Sequence, residues 1–173
     1  MKFSIHLLVI FTLISNIPTI IQAKEITHNH NSVIKSEIKK KVGFKVYILK
    51  QVPANCTLEI KTYPWKEKEN ITHFRLHYID NKEEHLLFGI EERKKSSTKE
   101  EISPNAKPVD INGYRGYFEV WGNSGELDKK SELITGGLLT WTQEGTYIQM
   151  NSSRITKDKM LEIARSMKAV ENE

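Results

Sequence analysis

The sequence has one cysteine, Cys56, so a disulfide within the chain is excluded. A chain of this size buries roughly 70% of its unfolded surface when it folds as one domain, so its core needs no covalent cross-link. Because Cys56 falls in a predicted strand, we interpret it as an inert core thiol.

A strong excess of one charge is also lacking. The chain has 26 lysines and arginines against 22 acidic residues, a formal net charge of +4. Nucleic-acid-binding domains usually show a clustered basic excess, so the composition predicts no nucleic-acid partner. The mild basic excess would suit an anionic wall polymer or lipid surface, and the alternative is that it serves only solubility.

Recognisable catalytic and cofactor motifs are lacking as well. Ser124, between Gly122 and Gly125, does not have the Gly-x-Ser-x-Gly spacing of a nucleophile elbow. Glu126 and Asp128 do not fit the twelve-residue ligand pattern of a calcium loop. We therefore predict no catalytic site and no cofactor.

Three histidines, His73, His77 and His85, share one face of a predicted hairpin. Four strand residues separate His73 from His77 by about 13 Å, which is too far for both to bind one ion. We therefore predict no metal site and interpret the histidines as half-exposed polar residues.

The only long hydrophobic run lies at the N-terminus. Lys2 precedes the apolar stretch 3–14, and Pro18 and Ala23 follow, which is the order of a secretory signal peptide. We predict a signal peptide at 1–23, hence a secreted or extracytoplasmic, envelope-associated protein with no membrane span after cleavage. An uncleaved anchor is the alternative. An exported domain without disulfides favours a bacterial source.

The rest of the chain predicts a disordered lead-in at 24–31 and a single α+β domain at 32–170. A short N-terminal helix begins after Ser32. A C-terminal helix is capped by Thr156 and carries its apolar stripe at i, i+3, i+4 and i+7, on Met160, Ile163, Ala164 and Met167.

Between the two helices, alternating apolar residues predict a mostly antiparallel sheet of six or seven strands, with the C-terminal helix packed on one face. The clearest hairpin joins 74–78 to 86–90, and Asn112-Gly113 marks another turn. The segments 91–107 and 122–131 have no strand periodicity, so we predict them to be loops.

One strand carries an aromatic stripe that could recognise a ligand. Alternation after Tyr114 places four residues on one face, and these form the candidate binding face: Arg115, Tyr117, Glu119 and Trp121. The alternative is that a helix or the loop 91–107 covers them.

The order of several short segments resembles a bacterial extracytoplasmic domain-of-unknown-function family, family 4367. The similarity rests on 42–44, 52–53, 109–113, 139–141, 145–147 and 161–167. The resemblance implies an exported domain like those of lipoproteins and anti-sigma-like chains. It carries no catalytic residues over to this sequence.

From these observations we expect a non-enzymatic binding or sensor module at the bacterial cell envelope. Its partner would be an envelope protein, a peptide or an anionic wall polymer. The alternatives are a secreted hydrolase of cell-wall material and an inhibitor or chaperone-like protein partner.

Overall fold

A computed structural model describes residues 35–64, 70–98 and 100–170. The predicted signal peptide, the lead-in and Ser32 lie outside these residues. The elements, in chain order, are α1 (Lys35–Lys41), β1 (Tyr47–Leu49), β2 (Cys56–Tyr63), β3 (His73–Asp80), β4 (Leu86–Lys94), β5 (Lys107–Ile111), β6 (Tyr114–Leu127), β7 (Leu133–Gln143), β8 (Thr146–Ser152), α2 (Lys157–Ser166) and β9 (Met167–Ala169).

Seven strands form one antiparallel sheet in the order β2-β3-β4-β8-β7-β6-β5. The prediction of a mostly antiparallel sheet with a C-terminal helix is confirmed. The strands β1 and β9 form a separate two-stranded ladder.

One face of the seven-stranded sheet, the core face, carries the apolar residues that alternate along its strands. On β3 these are Phe74, Leu76 and Tyr78, each no more than 1% exposed. They share one buried cluster with Leu139 and Trp141 of β7 and with Met160, Leu161, Ile163 and Ala164 of α2. The apolar residues at alternate positions along the strands thus form a single core.

The C-terminal helix begins where the sequence predicts. The Oγ1 atom of Thr156 accepts a hydrogen bond from the backbone N–H of Lys159 at 3.4 Å, which caps the first turn. Among the described residues, no helix is both long and apolar enough to cross a membrane.

The two loops predicted at 91–107 and 122–131 are shorter in the structure. The strand β4 continues to Lys94, and β6 continues to Leu127. The pairing of β6 with β7 shifts register after Val120 and again after Asn123. Because such irregularities interrupt alternation, the sequence of this extension does not show a strand period.

The predicted apolar stripe of α2 also ended too late. Met167 is the C-cap, with an extended backbone at φ −63° and ψ 142°, and it starts β9. Its side chain remains buried at 5% exposure, and its backbone pairs with Leu49 of β1. A pairing across more than a hundred residues leaves no local signal in the sequence.

The extension of β4 brings a carboxyl group into the core. Glu92 is 0% exposed and lies between Phe74 and Ile148 in the register of the sheet. Its Oε2 atom accepts the backbone N–H of Tyr47 at 3.0 Å. Burial raises the pKa of Glu92 well above the ordinary carboxyl range, because an ionised carboxylate is poorly stabilised away from water.

We expect Glu92 to make the free energy of unfolding depend on pH. Below about pH 4.3 the carboxyl is protonated in both the folded and the unfolded state, so it does not lower the free energy of unfolding. Above that pH the unfolded state ionises while the folded state stays protonated, so the free energy of unfolding should fall as the pH rises toward neutrality. Glu92→Gln should remove this loss and be more stable than wild type near pH 7, as measured by urea denaturation across the pH range. The exposed Glu132→Gln should keep the wild-type slope; equal slopes for all three proteins would contradict the assignment.

We expect Ile163 to show that α2 contributes to the core. It is 7% exposed, so Ile163→Ala should lower the free energy of unfolding by about 2–4 kcal/mol through lost transfer energy and a residual cavity. The neighbouring Glu162→Ala is the matched control. The Glu162 side chain is 67% exposed, so its loss should cost less than about 0.5 kcal/mol. Equal losses in chemical denaturation would mean that α2 does not stabilise the sheet.

Candidate functional site

The face of the sheet opposite the core, the polar face, is built from hydrogen-bonding and aromatic side chains. Strand register aligns them in rows that run across six strands. One row reads Glu59, His77, Gly89, Asn151, Leu138 and Glu119, and the next reads Lys61, Arg75, Glu91, Gln149, Thr140 and Tyr117.

The four predicted binding residues of β6 all lie on this polar face, but they do not share one environment. Tyr117 and Glu119 lie beside the segment that joins β4 to β5. Ser103 of that segment donates a hydrogen bond to Glu119 at 2.8 Å, and Arg93 donates two to the Glu100 carboxylate at 2.8 and 2.9 Å. The connecting segment therefore covers part of the predicted face.

Trp121 lies outside that cover and is 64% exposed. It lines a groove of about 560 Å³ on the polar face, together with Leu138 and Leu86. Most of the remaining lining consists of hydrogen-bonding side chains: Arg75, His77, Glu91, Gln149 and Asn151. A concave site with an aromatic wall and a few convergent polar groups is typical of a ligand-binding site.

A buried carboxylate orients the histidine of the groove. Glu59 is 3% exposed, and its Oε2 atom lies 3.3 Å from His77 Nδ1 and 3.1 Å from Lys61 Nζ. Burial lowers the pKa of His77 despite the neighbouring Glu59, so the imidazole is neutral at pH 7. A neutral ring that donates from Nδ1 to Glu59 keeps Nε2 as a hydrogen-bond acceptor.

The charged groups of the groove lining bind each other. Arg75 Nε donates to Glu91 Oε2 at 2.6 Å, and the Arg75 guanidinium also lies 5.5 Å from the centre of the Tyr63 ring. The guanidinium is therefore neutralised by Glu91 and held in place by Tyr63.

Gly89 makes room for the Asn151 side chain within the groove. It lies between His77 and Asn151 in the register of the sheet. A Cβ atom at this position would lie 2.9 Å from Asn151 Oδ1 and 3.9 Å from His77 Cδ2. A glycine inside a strand often marks a place where a ligand comes close to the backbone.

A second cavity of about 540 Å³ lies between α2 and the segment that leads from β1 into β2. Its walls are mainly apolar and include Leu49, Pro53, Cys56, Leu87 and Ile163. Burial raises the pKa of the Cys56 thiol, so Cys56 is protonated at neutral pH, in keeping with an unreactive thiol.

The turn between β3 and β4 brings together Asp80, Glu84 and His85, whose ligand atoms lie within 4.8 Å of one another and could hold a metal ion. The sequence analysis missed this group. Asp80 Oδ1 already accepts the backbone N–H groups of Glu84 and His85, at 2.8 and 3.3 Å. These bonds close the turn, so the closeness of the three side chains follows from the turn itself.

The other two histidines of the predicted face have different neighbours: His73 stacks on Tyr63, and His77 contacts Glu59.

Comparison with protein-family models places this arrangement in a family. The model described as "Domain of unknown function (DUF4367)" matches residues 46–167. The chain belongs to this family. The match begins just before β1 and ends at Met167, so it contains the whole seven-stranded sheet, α2 and the groove. The family inferred from the sequence, family 4367, is confirmed.

No curated protein and no solved structure matches this DUF4367 chain. The groove must therefore be interpreted from its own residues. Sequence reasoning found Trp121 through the alternation of β6, but it missed Gln149, Asn151 and Gly89. The sequence does carry one signal of the site: Gly89 interrupts an otherwise apolar strand pattern.

We expect the two aromatic residues of the candidate face to differ in their effect on stability. Trp121→Ala should change the free energy of unfolding by less than about 0.5 kcal/mol, because the side chain is largely exposed. Tyr117→Ala should cost at least about 1 kcal/mol, because Tyr117 is half-buried beside the covering segment and lies under the Arg115 guanidinium. Urea denaturation of the two single variants measures the difference. A large loss in Trp121→Ala would place that indole in the core and remove the groove wall as a binding surface.

Proposed function

We propose that this DUF4367 domain is a non-enzymatic binding module of the bacterial cell envelope, and that its ligand occupies the groove on the polar face. The envelope address rests on the predicted signal peptide. The binding role rests on one observation: an exposed indole, Trp121, lines a groove of about 560 Å³ together with several hydrogen-bonding side chains. A large aromatic side chain left in water beside such a groove is typical of a recognition surface.

The composition of the groove favours binding over hydrolysis. A glycoside hydrolase uses two carboxyl groups that flank the scissile bond. The lining of the groove includes one carboxylate, Glu91, and that carboxylate is hydrogen-bonded to Arg75 at 2.6 Å. Glu59 lies beside His77 on β2 and is 3% exposed, so it is poorly placed to meet a substrate.

The test is cosedimentation of the purified domain, beginning at Lys24, with isolated insoluble cell-envelope material. Wild type should bind, and Trp121→Ala should weaken binding at least about tenfold, because an aromatic side chain at the centre of a site usually dominates its affinity. Val120→Ala is the matched control. Val120 is 67% exposed and is adjacent in the chain, but it does not line the groove.

Val120→Ala should therefore bind within about twofold of wild type. The proposal is wrong if wild type does not sediment with the envelope, or if both variants lose affinity to the same extent.

A further inference from the structure

We propose that the ligand of the groove is an uncharged saccharide. This inference rests on the proposed binding function and narrows its ligand to one chemical class. It follows from three properties of the groove: its balance of charge, the kind of hydrogen-bonding groups that it presents, and its position within the sheet.

The charge of the lining is balanced before any ligand arrives. Arg75 and Glu91 are the cation and the anion among the lining residues, and they bind each other at 2.6 Å. His77 is held in its neutral form by burial. Because the charges of Arg75 and Glu91 offset each other, the groove offers no net charge to attract an anionic polymer or a cationic peptide, so an uncharged ligand is favoured.

The remaining polar groups suit a ligand that is rich in hydroxyl groups. Gln149 and Asn151 stand two residues apart on β8, about 7 Å along the strand, and His77 is two strands away, about 10 Å across the sheet. Each amide can both donate and accept hydrogen bonds, and the neutral imidazole accepts. Hydroxyl groups also both donate and accept, so one polyhydroxylated ligand could satisfy all three side chains.

The position of the groove argues against an extended peptide. Peptides that bind to sheets usually add a strand at an open edge and pair with its backbone. The groove lies over β3, β4, β8 and β7, which are interior strands whose backbone groups pair with their neighbours on both sides. Recognition there must use side chains, as it does for sugars.

The apolar side chains of the groove also suit a saccharide. The indole of Trp121 is 64% exposed, and Leu138 lies beside it in the groove. A flat aromatic surface in the same groove as hydrogen-bonding side chains suits a ring that is apolar on one face and carries hydroxyl groups at its edge. Because Gly89 has no side chain, the Asn151 amide can lie over β4, where it is placed to meet the edge of such a ring.

The experiment is isothermal titration calorimetry with three uncharged probes: the trisaccharide of N-acetylglucosamine, cellotriose and maltotriose. The anionic probe is trigalacturonic acid. At least one uncharged trisaccharide should bind, and 0.5 M NaCl should change its affinity less than about twofold, because no ion pair forms. The anionic probe should bind at least about tenfold more weakly.

Variants test whether binding occurs in the groove. Trp121→Ala and Asn151→Ala should each weaken saccharide binding at least about tenfold. Gly89→Ala should weaken it as well, because the added methyl group displaces the end of the Asn151 side chain. Val120→Ala is the control and should bind like wild type. Circular dichroism establishes that each variant is folded, and Gln149→Ala takes the place of Asn151→Ala if the latter unfolds.

Three results would overturn the saccharide assignment: tighter, salt-sensitive binding of the anionic probe, binding that the groove variants do not affect, or no binding of any uncharged probe. If the saccharides fail while envelope material still requires Trp121, the ligand class is wrong and the binding function stands. If envelope binding is also independent of Trp121, both proposals fail.

Discussion

Alternation of side chains along the strands is the constraint on which the rest of this structure depends. Where the strands of the seven-stranded sheet are regular, every second residue points into the core, as Phe74, Leu76 and Tyr78 do on β3. The intervening residues are then forced onto the opposite face in aligned rows. Packing one face against α2 therefore builds the polar face at the same time, and the groove is a consequence of how the core is made.

The features that the sequence predicts well are those with a local physical cause. Asn112-Gly113 predicts a two-residue turn because both positions need positive φ, and they have φ of 54° and 88°. Thr156 predicts the start of α2 because its side chain can satisfy a backbone N–H of the first turn. The alternation of β6 likewise places Tyr117 and Trp121 on one face without any knowledge of the fold.

The features that the sequence does not predict depend on contacts between distant segments. Glu91 to Lys94 resembles a loop because it has no apolar residue, yet Glu92 is buried in the core and Arg93 lies 4.0 Å from the Tyr147 ring on the polar face. The groove combines side chains of β3, β4, β8, β7 and β6. No segment of the sequence carries more than two of its polar residues, so the site becomes visible only when the register of the sheet is known.

Two buried carboxyl groups show why the faces of one sheet can do different chemistry. Glu92 in the core has a backbone N–H as its hydrogen-bond donor, and its burial favours the protonated form. Glu59 on the polar face lies within 3.3 Å of both Lys61 and His77. On the core face the carboxyl adapts to its surroundings by keeping its proton, whereas on the polar face the Lys61 ammonium beside the carboxyl group balances its charge. The same balance extends through Arg75 and Glu91, which leaves the groove rich in hydrogen-bonding groups and nearly free of net charge.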